Sequence, residues 1–227
     1  MIPVITVDGP SGSGKGTVCR IVGEKLGYNL LDSGAMYRVL GYAALQQGVS
    51  LEDDVALAEL ASKLDLSFEV IEGGVTPILS GVDIGGKIRN EEIGAAASKV
   101  AALQPVRDAL LQRQRDFMQE PGLIGDGRDL GTVVFPNATL KIFLDASAEV
   151  RAKRRVGQMS AQGLEADFEA ILADIKARDL RDRTRPIAPL VPAEDAITVD
   201  SSDMGILEVA ERVLELAASK GIKPANK

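Results

Sequence analysis

The sequence GPSGSGKGT, residues Gly9–Thr17, is the strongest indication of the fold of this chain. It follows the short apolar run VITV at residues 4–7 and precedes an apolar segment that begins at Val18, so it joins a buried strand to a helix. Its glycines permit unusual backbone angles and let successive N–H groups approach one anion, and Lys15 adds a point charge beside the positive end of the helix dipole. The stretch therefore predicts a P-loop that binds the phosphates of a nucleoside triphosphate. The predicted phosphate-binding positions are Gly9, Pro10, Ser11, Gly12, Ser13, Gly14, Lys15, Gly16 and Thr17.

The composition limits the chemistry that the chain can perform. With 227 residues, of which 45% are hydrophobic, it can bury a large core as one unit with insertions or as two small units. Cys19 is the only cysteine, which excludes an internal disulfide, and its place on the helix after the loop favours a packed core thiol. Histidine is absent. Carboxylates, lysine, arginine and backbone dipoles must therefore carry any catalysis.

The charge balance argues against a nucleic-acid partner. Asp and Glu outnumber Lys and Arg by 33 to 26, and only 4% of the residues are aromatic, with no Trp. A chain with that net charge of −7 lacks the general basic surface and the stacking side chains that nucleic acids require. Nothing in it resembles a signal peptide or a long uncharged apolar span, so we expect a cytoplasmic protein with no membrane partner.

Short apolar runs alternate with helical patterns along the chain, which predicts a parallel sheet with helices on both faces. Polar residues follow each run, and ligands in such folds lie beyond the carboxyl ends of the strands. The runs fall at residues 4–7, 30–31, 123–124, 140–144 and 197–199.

One segment breaks this alternation. Residues 66–89 read as three short antiparallel strands with turns at Gly73-Gly74 and at Gly81. A helix capped by Asn90 follows, and a second helix is predicted from about Val106 to Met118. We interpret the insert as a substrate-facing appendage, with a cover for the sheet edge as the alternative. The tail at residues 220–227 is expected to be disordered.

Three further stretches carry polar groups to the expected cleft. LDSGAMYR, residues 31–38, and GDGRDLGT, residues 125–132, each follow a strand, and each has the alternative reading of a helix cap or surface ion pair. ARDLRDRTRP, residues 177–186, holds four arginines, a residue type suited to bidentate phosphate recognition. In this last stretch Arg178, Asp182 and Arg185 are predicted to share one helical face.

A basic group after the fourth strand suggests a lid over the transferring phosphates. It contains Arg151, Lys153, Arg154 and Arg155 and follows the strand that ends at Asp145. Such a lid would bring several positive charges to the phosphates when it closes. Repulsion between two unit charges 4 Å apart is about 4 kcal/mol at an effective dielectric constant near 20, so several cations are needed.

Taken together, GPSGSGKGT, LLDSGAMYR, DGRDLGTVVFP and ARDLRDRTRPIAPL, in that order, resemble the bacterial cytidylate kinases, which phosphorylate CMP and dCMP from ATP. The resemblance implies a P-loop kinase core with a five-stranded parallel sheet, a monophosphate-binding insert at residues 64–98 and an ATP lid at residues 147–160. It also implies that Thr17 supplies the hydroxyl that Gly16 lacks. Mg²⁺ is then held mainly by phosphate oxygens and water, with no protein metal ligand. We expect a monomer that needs no protein partner.

The resemblance also assigns roles to individual residues. Cytosine offers an amino donor at N4 and acceptors at N3 and O2, so a carboxylate and two donors suit its pocket, whereas the O4 of uracil would be repelled by the carboxylate. The implied base-reading positions are Ser98, Arg107 and Asp129, the sugar-binding pair is Arg178 and Asp182, the phosphate-binding positions are Ser33, Arg38, Arg128 and Arg185, and the catalytic cations are Lys15, Arg128, Arg154 and Arg185.

Two alternatives stay open at this point. A related kinase for uridylate, adenylate or dephospho-coenzyme A would keep the loop and the lid but change the acceptor pocket. A P-loop ATPase or GTPase would hydrolyse its nucleotide without an acceptor; GKGT and the arginine clusters disfavour it.

Overall fold

In the computed structural model, which describes residues 2–71 and 74–225, five parallel strands form the central sheet. Their order across the sheet is β2-β6-β1-β7-β8, so the strand that leads into the P-loop lies in the middle. All four strand pairs are parallel, which confirms the predicted sheet. The strands are β1 (Val4–Asp8), β2 (Asn29–Asp32), β6 (Leu123–Gly127), β7 (Leu140–Asp145) and β8 (Ile197–Asp200).

Helices cover both faces of this sheet because successive strand residues point to opposite sides. Ile5 and Val7 of β1 pack into one apolar cluster, and Val4 packs into another on the opposite face. A third cluster joins the helices that flank the insert. The helices are α1 (Lys15–Leu26), α2 (Ser33–Gln47), α3 (Asp54–Lys63), α4 (Glu91–Val100), α5 (Gln104–Arg115), α6 (Ala148–Ala161), α7 (Phe168–Thr184) and α8 (Ile206–Ser219).

The insert is a three-stranded antiparallel sheet, as the sequence predicts. Its strands are β3 (Leu66–Ile71), β4 (Gly74–Leu79) and β5 (Val82–Asp83). Ser80 and Gly81 connect β4 to β5 with positive φ angles of 50° and 77°, a conformation that suits a tight hairpin. Gly73 of the other predicted turn lies outside the described residues.

The helices after the insert differ slightly from their predicted bounds. The side chain of Asn90 accepts a hydrogen bond from the N–H of Ile93, so the predicted cap is confirmed. The second helix begins at Gln104 rather than at Val106, because Pro105 is tolerated in a first helical turn. It ends at Arg115, three residues before the predicted end.

The expectation of a disordered tail is wrong for residues 220–225. Ile222 is buried in the same apolar cluster as Leu26, and the N–H of Ala225 donates to the carbonyl of Leu26 at 2.7 Å. The hydroxyl of Tyr28 donates to the carbonyl of Lys223 at 3.0 Å. One apolar side chain and two backbone contacts therefore hold the segment after α8. Residues 226–227 lie outside the described part of the chain.

The fold brings the P-loop, the end of β2 and the end of β6 to one edge of the sheet, because the carboxyl ends of parallel strands meet there. Among the helices of the described residues, none combines the length and the apolar character needed to cross a bilayer.

Candidate active site

The P-loop backbone adopts angles that only glycine accepts readily. Gly9 has φ of 154°, and a Cβ placed there would lie 2.0 Å from the carbonyl oxygen of Leu144 on the neighbouring strand. Gly14 has φ of 94° and caps helix α1, which begins at Lys15. The loop therefore ends at a helix N-terminus whose N–H groups have no partner within the helix, and such an end binds anions.

Lys15 lies inside the loop with only 4% of its surface exposed. Its Nζ donates to the carbonyl of Pro10 at 2.6 Å and lies 3.4 Å from the hydroxyl of Ser13. Burial and the nearby charge of Arg128 lower the pKa of Lys15, while Asp126 opposes that change. The ammonium group is therefore held by the loop that it is expected to serve.

Two strand-ending carboxylates lie opposite the start of α1. Asp32 and Asp126 line the same cavity as Gly16 and Thr17, and a Cβ placed on Gly16 would lie 3.8 Å from Oδ1 of Asp126. Burial and the neighbouring Asp32 raise the pKa of Asp126. The described residues contain no cluster of three metal-ligating side chains. This pair suits Mg²⁺, which usually binds one or two carboxylates while keeping several waters and substrate phosphates.

Five of the predicted cations surround one large cavity beside the P-loop. Its volume is about 860 Å³, and the loop itself forms one wall. A second cavity of about 440 Å³ extends from Ser11 and Gly12 to the insert residues Val75 and Pro77. The cations around the large cavity are Lys15, Arg38, Arg128, Arg154 and Arg178, of which Arg38, Arg154 and Arg178 also line the second cavity.

A first buried group of side chains, the Asp129 cluster, consists of Tyr37, Arg107, Asp129 and Arg185. Arg107 forms an ion pair with Asp129 and lies 6.0 Å from the ring centre of Tyr37. Nη2 of Arg185 lies 3.7 Å from Oδ1 of Asp129. Among the described residues, neither the Tyr37 hydroxyl nor Nη2 of Arg185 has a hydrogen-bond partner. Buried donors without partners are costly, so they favour a polar ligand at this place.

A second buried group, the Asp182 cluster, consists of Ser98, Arg128, Arg181 and Asp182. Nε of Arg128 donates to Asp182 at 3.0 Å, and the hydroxyl of Ser98 donates to the other carboxylate oxygen at 2.9 Å. Burial alone would raise the pKa of Asp182, but Arg128 and Arg178 outweigh it and the pKa is lowered. Ser98 thus contacts Asp182 and Arg181, not the Arg107–Asp129 pair with which the resemblance groups it.

The remaining sugar-binding candidate, Arg178, lies beside the Asp182 cluster. Burial and the nearby Arg128 lower the pKa of Arg178 to about 10, although Asp182 opposes the change. Its Nε has no hydrogen-bond partner among the described residues. Arg38 lies close by and donates to the carbonyl of Ile88 at 2.9 Å, which ties it to the insert. These two guanidinium groups are expected to attract an anion.

Gln114 contacts a predicted phosphate-binding residue, although the sequence pattern does not single it out. Its side-chain oxygen accepts a hydrogen bond from the hydroxyl of Ser33 at 2.7 Å, and both side chains are buried. A glutamine within a polar helix carries no signal of such a contact. It is recognised only because α2 and α5 place the two side chains together.

Two arginines are placed differently from their predicted positions. Helix α7 ends at Thr184, so Arg185 is extended and does not share the helical face of Arg178 and Asp182. Pro186 explains the early end, because the residue before a proline avoids helical angles. Arg151 forms an ion pair with Asp179 and donates to the carbonyl of Ser11 at 2.9 Å. Arg151 therefore links helix α6 to the P-loop and to α7.

The other residues of the basic segment lie on helix α6 with Arg151. Nη2 of Arg154 donates to the carbonyl of Ser201 at 2.5 Å, after the last strand of the sheet. Arg155 lies 3.0 Å from Glu91 at the start of α4 and so connects this helix to the region of the insert. The predicted role of Arg154 in transfer stays a prediction.

Known proteins of one family are similar to this chain over nearly its whole length. A family model described as cytidylate kinase matches residues 5–219. The chain belongs to the cytidylate kinase family. A cytidylate kinase of Pasteurella multocida is 59% identical over 211 residues, which cover 93% of each chain. One of Vibrio vulnificus is 58% identical over 219 residues, or 96% of each chain, and one of Aeromonas hydrophila is 57% identical over 217 residues, which cover 96% of this chain and 94% of the relative.

Membership of the cytidylate kinase family makes this chain a nucleotide-binding transferase, as the sequence predicts. The match spans the P-loop, the insert, both buried clusters and helix α8. A hydrolytic P-loop ATPase or GTPase is therefore no longer the competing interpretation.

Proposed function

We infer that this protein transfers the γ-phosphoryl group of ATP directly and in line to CMP or dCMP, giving ADP and CDP or dCDP. The observation that carries this inference is the Asp129 cluster beside the P-loop, in a chain of the cytidylate kinase family. A buried carboxylate held by two arginines offers the hydrogen-bond acceptor that the N4 amino group of cytosine requires.

On the donor side, we propose that residues 9–17 bind the ATP phosphates through backbone N–H groups. Lys15 then leaves the carbonyl of Pro10 for the β- and γ-phosphates, because a charged acceptor replaces a neutral one. Thr17 at the start of α1 supplies its hydroxyl to the same phosphates. The loop is built before ATP arrives, so little reorganisation is needed when the transition state forms.

On the acceptor side, we propose that Arg38, Arg128 and Arg185, together with Ser33, bind the phosphate of CMP. Arg38 and Arg128 line the cavity that contains Lys15, so they bring the acceptor phosphate towards the donor. The acceptor is already an anion and needs no strong base. Catalysis therefore consists of positioning and of charge stabilisation by Lys15, Arg128, Arg185 and Arg154.

We propose that the base is read by Arg107 and Asp129 with Ser98, and the sugar by Arg178 and Asp182. Within each cluster the side chains are already paired with one another, so the nucleotide must replace some of these ion pairs and hydrogen bonds. Ser98 must exchange its bond to Asp182 for one to the base, which the rotation of a hydroxyl allows. Asp182 then accepts from a sugar hydroxyl.

Closure of the insert and of a lid at residues 147–160 around both nucleotides would exclude water and protect ATP from hydrolysis. The contact between Arg155 and Glu91 already bridges the two elements across the smaller cavity. Arg154 would move from the carbonyl of Ser201 towards the phosphates in this closure.

We further propose that Mg²⁺ accompanies ATP, held by phosphate oxygens and water near Asp32, Asp126 and Thr17. When bound, the ion neutralises charge that develops on the phosphate oxygens. The protein's part is to orient the surrounding water through the two carboxylates. We expect the protein to act as a monomer in the cytoplasm.

The experiment that tests this function measures ADP formation from ATP and Mg²⁺ with CMP, dCMP, UMP, AMP, dephospho-coenzyme A or no acceptor. Rapid formation of CDP and dCDP over a low acceptor-free rate is expected, with the nucleotide product identified in each case. Equal ADP release in every reaction would instead mean hydrolysis, and a preference for UMP or AMP would mean that the base assignment is wrong.

A further inference from the structure

One buried carboxylate joins the P-loop strand to the segment that carries Arg128 and Asp129. Asp8 is the last residue of β1 and directly precedes Gly9. Its two oxygens accept hydrogen bonds from consecutive backbone N–H groups, from Leu130 at 2.9 Å and from Gly131 at 2.7 Å. These N–H groups begin the short π-helical turn Leu130–Val134 that follows Asp129.

The surroundings of Asp8 leave little freedom for this contact. The side chain is buried, and a Cβ placed on Gly127 or on Gly131 would lie 3.3 Å from one of its oxygens. A Cβ on Gly131 would also lie 3.0 Å from the hydroxyl of Thr6. Small residues on both sides of Asp129 therefore let the backbone approach the carboxylate closely.

The contact between Asp8 and the backbone of residues 130–131 also lies next to both predicted nucleotide-binding segments. Only one peptide bond separates Asp8 from the P-loop, and only one separates Leu130 from Asp129. The first N–H groups of a helix are commonly bound by the side chain of the N-cap residue. In this turn the N-cap residue is Asp129, and its side chain accepts no such hydrogen bond. Asp8 supplies the acceptor from a different strand.

We infer that Asp8 is a positioning residue that sets the place of Asp129, and so the choice of base, relative to the donor loop. The inference rests on the proposed function, because it concerns the residue that is proposed to read cytosine. Asp8 touches neither nucleotide in this view. It acts through the backbone of residues 130–131, and its loss changes acceptor recognition more than ATP binding.

The test compares the wild type with Asp8→Asn, using steady-state kinetics for CMP, UMP and ATP at a temperature where both are folded. Asparagine keeps the size but replaces one acceptor oxygen by an NH2 group, which then faces a backbone N–H. We expect KM for CMP to rise about tenfold, the preference for CMP over UMP to fall about tenfold, and KM for ATP to change less than about twofold.

A matched control is Asp145→Asn at the end of the neighbouring strand β7. Its carboxylate accepts a hydrogen bond from the N–H of Ala146 at 2.9 Å and lies 3.4 Å from Arg183. Unlike Asp8, it therefore contacts the loop that directly follows it. This variant is expected to retain the preference for CMP. Asp8→Asn with unchanged KM for CMP and unchanged preference, even if less stable, would overturn the inference.

A double variant separates positioning from a general loss of structure. If Asp8 acts through Asp129, then Asp8→Asn should no longer change the CMP-to-UMP preference in an Asp129→Ala background. A further tenfold change in that background would contradict the inference. A wild type without any preference for CMP would instead overturn the proposed function, so the two failures are distinguishable.

Gly131→Ala provides the test should Asp8→Asn fail to fold. It keeps the carboxylate but places a methyl group against Asp8 and Thr6, and so displaces the same contact from the other side. We expect the same pattern with a smaller change, about threefold in KM for CMP, and little effect on ATP. An equal rise in KM for both substrates would count against a specific role.

Discussion

The phosphate-binding loop and the buried arginine–aspartate clusters lie at the same edge of the sheet, but they are built differently. The loop is nine consecutive residues that run from the end of β1 into the first turn of α1, and backbone N–H groups are expected to make most of its phosphate contacts. The clusters take side chains from α2, α4, α5, the segment after β6, and α7 with the residue that follows it. The proposed donor site is thus a local motif, whereas the proposed acceptor site forms only when distant segments meet.

This difference also appears in the charges. Lys15 rests on a neutral carbonyl that a phosphate can replace. Arg107 and Asp129 are paired with each other in the interior, where an unpaired charge would be costly. In the proposed function, Lys15 therefore exchanges one neutral acceptor for phosphate, whereas the acceptor site exchanges internal ion pairs for contacts with the nucleotide. Selectivity between bases is expected to reside in that exchange.

We expect the largest loss of activity from a substitution in the proposed donor site. Lys15→Ala should lower kcat by roughly a thousandfold with CMP, dCMP and UMP alike, because a charge aimed at the transferring group is lost for every acceptor. Rates of ADP formation with each nucleotide test this. Lys25→Ala, an exposed change on the same helix, is the control. A loss confined to CMP would contradict the division between donor and acceptor sites.

The second largest loss of activity is expected from a substitution in the proposed acceptor site. Asp129→Ala should lower kcat/KM for CMP by about a hundredfold and remove most of the preference over UMP, since the base loses its acceptor and the buried Arg107 and Arg185 lose the carboxylate with which they form ion pairs. Full kinetics with both nucleotides, on protein shown to be folded, give the answer. Asp108→Ala on the exposed side of α5 is the matched control. Retention of the full preference for CMP would mean that Asp129 does not read the base.

A third prediction concerns the pH dependence of stability at Asp8, the residue that connects the two sites. Burial raises the pKa of Asp8 from its ordinary value of 3.8 to about 6, although the N–H groups of Gly131 and Leu130 oppose this. Between these values the folded state binds more protons at Asp8 than the unfolded state. The stability contributed by protonated Asp8 is therefore lost as pH rises, by about 2 kcal/mol from pH 4 to pH 6.

Urea unfolding of the ligand-free wild type and of Asp8→Asn across this range measures the contribution. Other carboxylates add their own pH dependence to both proteins, so the informative quantity is the difference between the two curves. The wild type should lose stability relative to Asp8→Asn as pH rises. Parallel curves would show that the carboxylate titrates as it does in the unfolded chain.

The smallest expected effect returns to the donor side. Arg151→Lys should raise KM for ATP about fivefold and leave the CMP-to-UMP preference unchanged, because lysine cannot contact Asp179 and the Ser11 carbonyl in the same planar way. Arg212→Lys on helix α8 is the control, since that arginine forms an exposed ion pair with Glu215. A changed base preference with an unchanged KM for ATP would place Arg151 on the acceptor side.

The five strands, the antiparallel insert and the P-loop could all be predicted because each depends on local patterns. Hydrophobic periodicity, turn residues and the backbone angles of glycine each depend on a few neighbouring positions. Residues 4–17 therefore contain the whole strand–loop–helix pattern that predicts the P-loop. The tail after α8 was mispredicted because composition does not show that Ile222 has a place beside Leu26.

The partners of the buried polar groups were beyond such patterns. Ser98 pairs with Asp182, Ser33 with Gln114, and Asp8 with the turn after Asp129. Local sequence patterns are enough to predict the fold class and the phosphate-binding loop, and they carry the resemblance to the cytidylate kinases. Which charges face the cavity, and which neutralise each other inside, depends on the folded arrangement. That choice depends on burial and on distances between segments far apart in the chain, which no local pattern contains.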